Sequence, residues 1–328
     1  MVPAPQSPRP RGPAAAERAE RAGRAGRAGV NQRWTMLGDE IAGGATVEQG
    51  ETAAIIVVGD ELLSGALRES NSHFISSSLR SHGIAVKQVL LIESDIDVIA
   101  FLLRRLSPVH RHVFVAGGVG PAHTDVTLAA VSKAFGVGMT EHAGLLRLVS
   151  DCTPRHHFSE HHLRMAYVPY GAELVGKELP VPGEVGDWSA LTARWPSVKK
   201  NNVYVLPTRW PHILRKRFSE LLPLLQSAFE PFASTRITFR ASVEKAQVAA
   251  SIVEALKAHP KVASHTFAES VGGETRTVLY LESKDPAQQT GASDMVLGLI
   301  PPEWVQAVRP PPAPPRAPVP PRRACARA

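Results

Sequence analysis

Apolar and polar positions along the chain alternate between short continuous runs and helical stripes. The stretch TAAIIVVG, residues 52–59, is a β-branched apolar run of the kind that makes a strand buried on both faces. After GDELLSG, the segment ESNSHFISSSLRSHG sets Phe74, Ile75 and Leu79 at helical spacing, with Gly83 as a C-terminal stop. IAVKQVLLI then predicts a second strand. In ESDIDVIAFLLRRLS, Ile99, Leu102, Leu103 and Leu106 follow i, i+3, i+4 and i+7, and Ser94 or Asp95 can cap the helix. HVFVAGG predicts a third buried strand. DVTLAAVSKAFG aligns Leu128, Val131 and Phe135 on one helical face before Gly136 ends it. Strand and helix alternating three times predict a parallel sheet covered on both sides.

From Cys152 to about Lys200 the periodicity fades, and a long loop with local structure is expected there. NNVYVLP predicts another strand and PHILRKRFSELLPLLQSAF another helix. TRITFRAS, VEKAQVAASIVEALKAHP, VASHTFAES, a Gly272-Gly273 turn and TRTVLYLES make a β-α-β-β unit, with a closing helix near Asp294–Leu299. The expected organisation has four parts. Residues 1–48 are an Arg/Ala/Pro-rich disordered tail. Residues 49–232 form an α/β domain, a three-layer, mostly parallel sheet with helices on both faces. Residues 233–300 form a small α+β domain, and residues 301–328 a Pro-rich disordered tail.

With 328 residues and 44% hydrophobic content the chain can bury a substantial core. The net charge of +7 suggests a nucleic-acid partner until it is located. Residues 1–30 and 301–328 carry +8 between them, which leaves −1 for everything else. A basic face for nucleic acid is therefore not expected. The two cysteines, Cys152 and Cys325, exclude a disulfide framework or a cysteine zinc site and fit a reducing compartment. No apolar run approaches the roughly 18 residues that span a bilayer, so no membrane partner is expected. ERAERAGRAGRAG has the Arg/Ala bias of a mitochondrial presequence, but residues 1–33 hold no Leu, Ile or Phe. A cytoplasmic location is expected in preference to the mitochondrial matrix.

The stretch VAGGVGPAHTDVT, residues 115–127, carries the candidate chemistry. It sits after the third predicted strand, where open parallel sheets bind ligands, and Gly59-Asp60-Glu61 converges on the same rim from the first. Glycines let a backbone approach an anion and present N–H groups, and the helix that follows directs its positive end there. A phosphate or pyrophosphate is the expected guest. Neither a Walker loop nor a dinucleotide fingerprint fits, because Gly120 is followed by Pro121-Ala122-His123. Those three residues also offer the loop no lysine or arginine.

TAAIIVVGDELLSG, Asn71 in ESNSHF, VFVAGGVGPAHTDVTLAAVSKAFG and NNVYVLP together resemble the molybdopterin-binding-like domain at the N-terminus of eukaryotic FAD synthases. The same fold family includes MoaB/Mog-like pterin-binding proteins and CinA. The resemblance runs from about Thr52 to the end of the second domain. It implies FAD pyrophosphate hydrolysis to FMN and AMP, with Asp125, Asp60 and Glu61 as catalytic residues. Gly117, Gly118, Gly120, Thr127 and Asn71 would bind phosphate, and Asp60 and Asp125 would share a divalent, Mg²⁺-like ion. FAD or FMN is then the ligand.

Three departures stand out. Where the family loop reads GGxGPTHDDVT, this chain has Ala122 for the Thr and Thr124 for the first Asp. The family's Pro-Gly-x-Pro appears as Pro207-Thr208-Arg209-Trp210-Pro211. FAD synthases also carry a C-terminal PAPS-reductase-like domain that holds the adenylyltransferase site, whereas this sequence ends in a proline-rich tail. FAD synthesis by this chain alone is therefore not expected. A non-catalytic paralogue that binds a flavin nucleotide or a protein, and a molybdopterin binder, are the alternative expectations.

Two other motifs lie outside the stretches that carry this resemblance. His157-Phe158-Ser159-Glu160-His161 matches H-x-x-E-H, a zinc pattern when helical, and is expected to be a solvated polar loop. Pro311-Pro312-Ala313-Pro314-Pro315-Arg316 has the PxxPxR pattern of an SH3 ligand. An SH3-type partner of the tail and a homo-oligomer complete the expectations.

Overall fold

The computed structural model describes residues 51–152, 159–176, 195–208, 211–225 and 231–309. Strand β1, Thr52–Val58, is buried at every residue, as a β-branched run with no polar face requires. A short helix, α1 (Asp60–Leu63), turns the chain after it. Helix α2 (Asn71–Ser81) buries Phe74, Ile75 and Leu79 and leads into β2 (Ala85–Ile92). Helix α3 (Ile96–Leu106) is capped by Asp95, whose carboxylate accepts from the N–H groups of Asp97 and Val98. Such a cap is worth about 1 kcal/mol. Strand β3 (His112–Ala116) is again fully buried, and α4 (Thr127–Phe135) follows it and ends at Gly136.

The next segment holds β4 (Met139–Glu141), α5 (Ala143–Cys152), α6 (Glu160–Arg164) and β5 (Tyr167–Pro169). β4 and β5 pair in a separate antiparallel ribbon. Strands β6 (Glu173–Val175), β7 (Ser197–Lys200) and β8 (Val203–Leu206) complete a six-stranded sheet of order β2-β1-β3-β8-β7-β6. β2, β1, β3 and β8 are parallel, while β7 runs antiparallel to both its neighbours. Among the described residues, the region expected as a long loop with local structure carries a helix and three strands. Strands of three or four residues are too short to leave a readable period.

Helix α7 (Pro211–Leu225) sets Phe218 edge-on to Phe114 and Phe74, with ring centroids 5.4 and 6.0 Å apart. Together with Ile55, Leu79 and Leu206 these rings form the core on one face of the sheet. Deleting so large a buried ring costs about 3–5 kcal/mol. Strand alternation directs Ile56 and Val115 to the opposite face, where α3 and α4 pack together.

The second unit contains β9 (Ala233–Phe239), α8 (Lys245–Ala258), the hairpin β10 (Ala263–Val271) and β11 (Glu274–Ser283), and α9 (Pro286–Leu299). Helix α9 begins eight residues earlier than expected, at an Asp285 cap that accepts from the N–H groups of Ala287 and Gln288. The chain continues as β12 (Val305–Arg309), the outer strand of an antiparallel sheet of order β10-β11-β9-β12. Residues 301–309 are thus structured, against the expectation of a tail from Pro301. Phe239, Ile252, Leu279, Leu281 and Val296 form this unit's core. Arg80 of α2 forms an ion pair with the buried Glu282 of β11, and its guanidinium lies 5.4 Å from the Phe232 ring centroid. Among the described residues no helix is long and apolar enough to cross a membrane.

Candidate functional site

β1 and β3 are neighbours and end at the same rim of the sheet. β3 runs directly into Gly117 and Gly118, at φ 109° and 64°. Crowding explains both glycines. A Cβ on Gly117 would stand 2.3 Å from the Val58 carbonyl oxygen, and one on Gly118 would stand 2.2 Å from Thr127 Oγ1. Gly117 N also donates to Leu206 O at 3.3 Å, which ties the loop to β8.

Thr127, the first residue of α4, is fully buried. Its hydroxyl donates to Gly117 O at 2.8 Å and its N–H donates to Gly118 O at 3.1 Å. The resemblance places Thr127 among the phosphate ligands, but its polar groups are engaged in holding the loop. Asp125 is likewise fixed to the backbone. Its Oδ2 accepts from Ala122 N at 2.8 Å, and a Cβ on Gly120 would come within 2.6 Å of that oxygen. The N-cap residue of α4, Val126, makes no side-chain cap bond, and the first helical N–H, that of Thr127, goes to Gly118 O.

Beside this loop opens a cleft of about 130 Å³. Gly118, Gly120, Asp125 and Arg164 contribute to its polar side, and Met139 and Tyr167 to a larger apolar side. Leu128 and Ala129, the second and third residues of α4, border it too. Arg164 is the residue that sequence reading missed. It ends α6, a helix started by a reciprocal Ser159–His162 capping box, and its guanidinium donates to Ala122 O. The stretch expected as a polar loop is thus partly helical and delivers a cation to the glycine loop. Of the H-x-x-E-H pattern, His157 lies outside the described residues, and Glu160 and His161 belong to α6.

Asp60, Glu61 and Asn71 do not line the cleft. Asp60 Oδ1 accepts from Ser94 N at 3.0 Å, which fastens it to the end of β2. The Glu61 carboxylate folds back so that Oε1 lies 2.8 Å from where a Gly59 Cβ would be. Asn71 N and Ser72 N both donate to Glu69 Oε1, at 2.6 and 2.9 Å. An internal carboxylate therefore already occupies the first turn of α2. Among the described residues no three His, Cys, Asp or Glu gather as a ready-made metal site. Asp125, and Asp60 on the adjoining strand end, are hard oxygen donors. Of the two, Asp125 lines the cleft and Asp60 does not; a Mg²⁺-like ion takes one or two such carboxylates and completes its shell with substrate phosphates and water.

A mostly parallel α/β sheet with a clamped glycine loop at its strand ends defines a MoaB/Mog-like fold. The family model described as a probable molybdopterin binding domain matches residues 54–227, more than half of the chain, and the chain belongs to that family. A probable FAD synthase of Caenorhabditis elegans is 39% identical over 87 residues, 26% of this chain and 17% of that protein. The match to the Caenorhabditis briggsae probable FAD synthase likewise spans 17% of that protein's length. A protein of Aeropyrum pernix is 30% identical over 236 residues, covering 69% of this chain and 83% of its own. Among solved structures, CinA of Thermoplasma acidophilum superposes with a TM-score of 0.45 at 23% identity, over 54% of this chain and 99% of that one.

Proposed function

We propose that the glycine loop holds the pyrophosphate of a flavin dinucleotide and that the protein cleaves FAD to FMN and AMP. The observation that carries this reading is the meeting of Gly118, Gly120 and the uncapped start of α4 at one cleft beside Asp125. Backbone N–H groups aimed from a rigid loop and a helix N-terminus favour an anion. The partial likeness to probable FAD synthases supports a flavin dinucleotide as the source of that anion.

In the reaction the oxygen of water forms a bond to one phosphorus of the pyrophosphate. The bond from that phosphorus to the bridging oxygen breaks, and the bridging oxygen leaves with the other phosphate. The glycine N–H groups stabilise the charge that develops on the phosphoryl oxygens. Asp125 and Asp60 are the residues that would hold a Mg²⁺-like ion, which when bound neutralises pyrophosphate charge. Glu61, exposed beside the end of β1, is the carboxylate available to orient water or take its proton.

The test is incubation of the purified chain with FAD and a panel of divalent metals, following FMN by chromatography. FMN release that disappears in Asp125→Ala supports the reading, and no release above that variant removes it. A second reading, binding without turnover, is favoured by Thr124. Its replacement of a family carboxylate leaves Asp125 as the acidic residue in the cleft lining. Saturable FAD binding with no FMN release would establish that reading.

A further inference from the structure

The structure assigns to Arg164 the cationic contact with the ligand's phosphate, and to the apolar side of the same cleft the flat ring joined to that phosphate. This inference rests on the phosphate-loop reading and does not depend on hydrolysis.

Three observations carry it. First, the loop from Gly117 to Thr127 contains no lysine or arginine, and among the described residues Arg164 is the cation in the cleft lining. Second, Arg164 is anchored at the loop without being used up. A guanidinium has five N–H donors; one nitrogen donates to Ala122 O, and the side chain is otherwise exposed. Ala122 is gripped from both sides, since its N–H donates to Asp125 and its carbonyl accepts from Arg164. Third, the rest of the lining is suited to a ring. Met139, Met165, Tyr167 and Trp195 offer sulfur and aromatic surfaces with few polar atoms. A volume of about 130 Å³ is below the roughly 300–1,000 Å³ of pockets that enclose whole drug-sized ligands, so the cleft takes one end of a nucleotide. With Asp125 balancing Arg164, the glycine N–H groups tip the site towards an anion.

The experiment compares ligands that differ by phosphate, FMN against riboflavin and ADP against adenosine, on wild type, Arg164→Ala and Arg164→Lys. Binding is read by flavin fluorescence and by calorimetry. Loss of a charge-assisted contact weakens FMN or ADP about tenfold to a hundredfold in Arg164→Ala, equal to about 1.4–2.8 kcal/mol. Riboflavin and adenosine change less than twofold, and Arg164→Lys recovers part of the loss. Arg147→Ala, on the exposed side of α5, serves as a charge-matched control and leaves all four ligands unchanged. Equal loss for phosphorylated and unphosphorylated ligands, or no loss for either, overturns the assignment while leaving the loop reading intact. Wild type that binds neither FMN nor ADP overturns both.

Discussion

The Thr127 hydroxyl donates a 2.8 Å hydrogen bond to the carbonyl of Gly117, ten residues earlier in the chain. That bond joins the end of β3 to the start of α4 and sets the curvature of the glycine loop. The oxygen that makes it fills the space a Gly118 side chain would need. Loop shape and helix start are therefore specified together.

Replacing Thr127 by Val keeps the volume and leaves the Gly117 carbonyl without its donor. An unmet buried acceptor costs about 1–3 kcal/mol. Thr127→Val should lower the urea midpoint accordingly and weaken ADP binding, while Thr127→Ser, which keeps the hydroxyl, should lose much less of either.

The contact between α2 and the second unit's sheet is also testable. Glu282 is 6% exposed and is met by Arg80 and by His265 Nε2 at 3.1 Å. Arg80→Met leaves the carboxylate with the histidine alone and should destabilise the protein by about 1–3 kcal/mol. Arg80→Met combined with Glu282→Leu should regain most of that loss, because the uncompensated buried charge is gone. A double-mutant cycle by chemical denaturation measures it.

Burial lowers the pKa of His112 despite its hydrogen bond to Glu51, and burial with nearby Lys87 lowers that of His110. Both are less easily protonated in the folded state than in the unfolded chain. The unfolded state therefore binds more protons below the ordinary histidine value of about 6.5. Stability should be flat with respect to these groups above that pH and fall as pH drops from about 6.5 through the lowered folded values. Thermal midpoints from pH 8 to 5 check this, and His110→Gln with His112→Gln should flatten the slope.

Ala122 is exposed, and its N–H rather than its side chain holds Asp125. Ala122→Thr with Thr124→Asp restores the hydroxyl and carboxylate of the resembling loop and should raise the rate of FMN release from FAD at least tenfold, read by chromatography. An unchanged rate would mean that these two positions do not limit turnover.

Much of this molecule could be read from its sequence, for identifiable reasons. β1 and β3 are strands buried on both faces, so their uninterrupted β-branched runs advertise them. The Asp95 cap and the Gly136 stop fix helix ends by local chemistry. The glycine loop was legible because glycines at a strand end report backbone crowding. Arg164 was not, because it reaches Ala122 across 42 residues and nothing local marks that contact. β6 and β7 were missed for their length, and β12 because prolines on either side mask the Val305 and Val308 pattern. The Thr127 bond to Gly117 was not legible either, since sequence shows a hydroxyl and not the direction in which it donates.

The clamped loop and Asp125 are proposed to cleave a dinucleotide pyrophosphate. Phosphorus NMR of FAD with the purified protein and Mg²⁺ tests it most directly, because substrate and products differ in the phosphorus signal itself. The account predicts that the pyrophosphate resonances decline as two phosphomonoester resonances, FMN and AMP, grow in equal amounts, and that Asp125→Asn abolishes the change. Pyrophosphate resonances that persist unchanged with wild type, or decline as fast with Asp125→Asn, would contradict it.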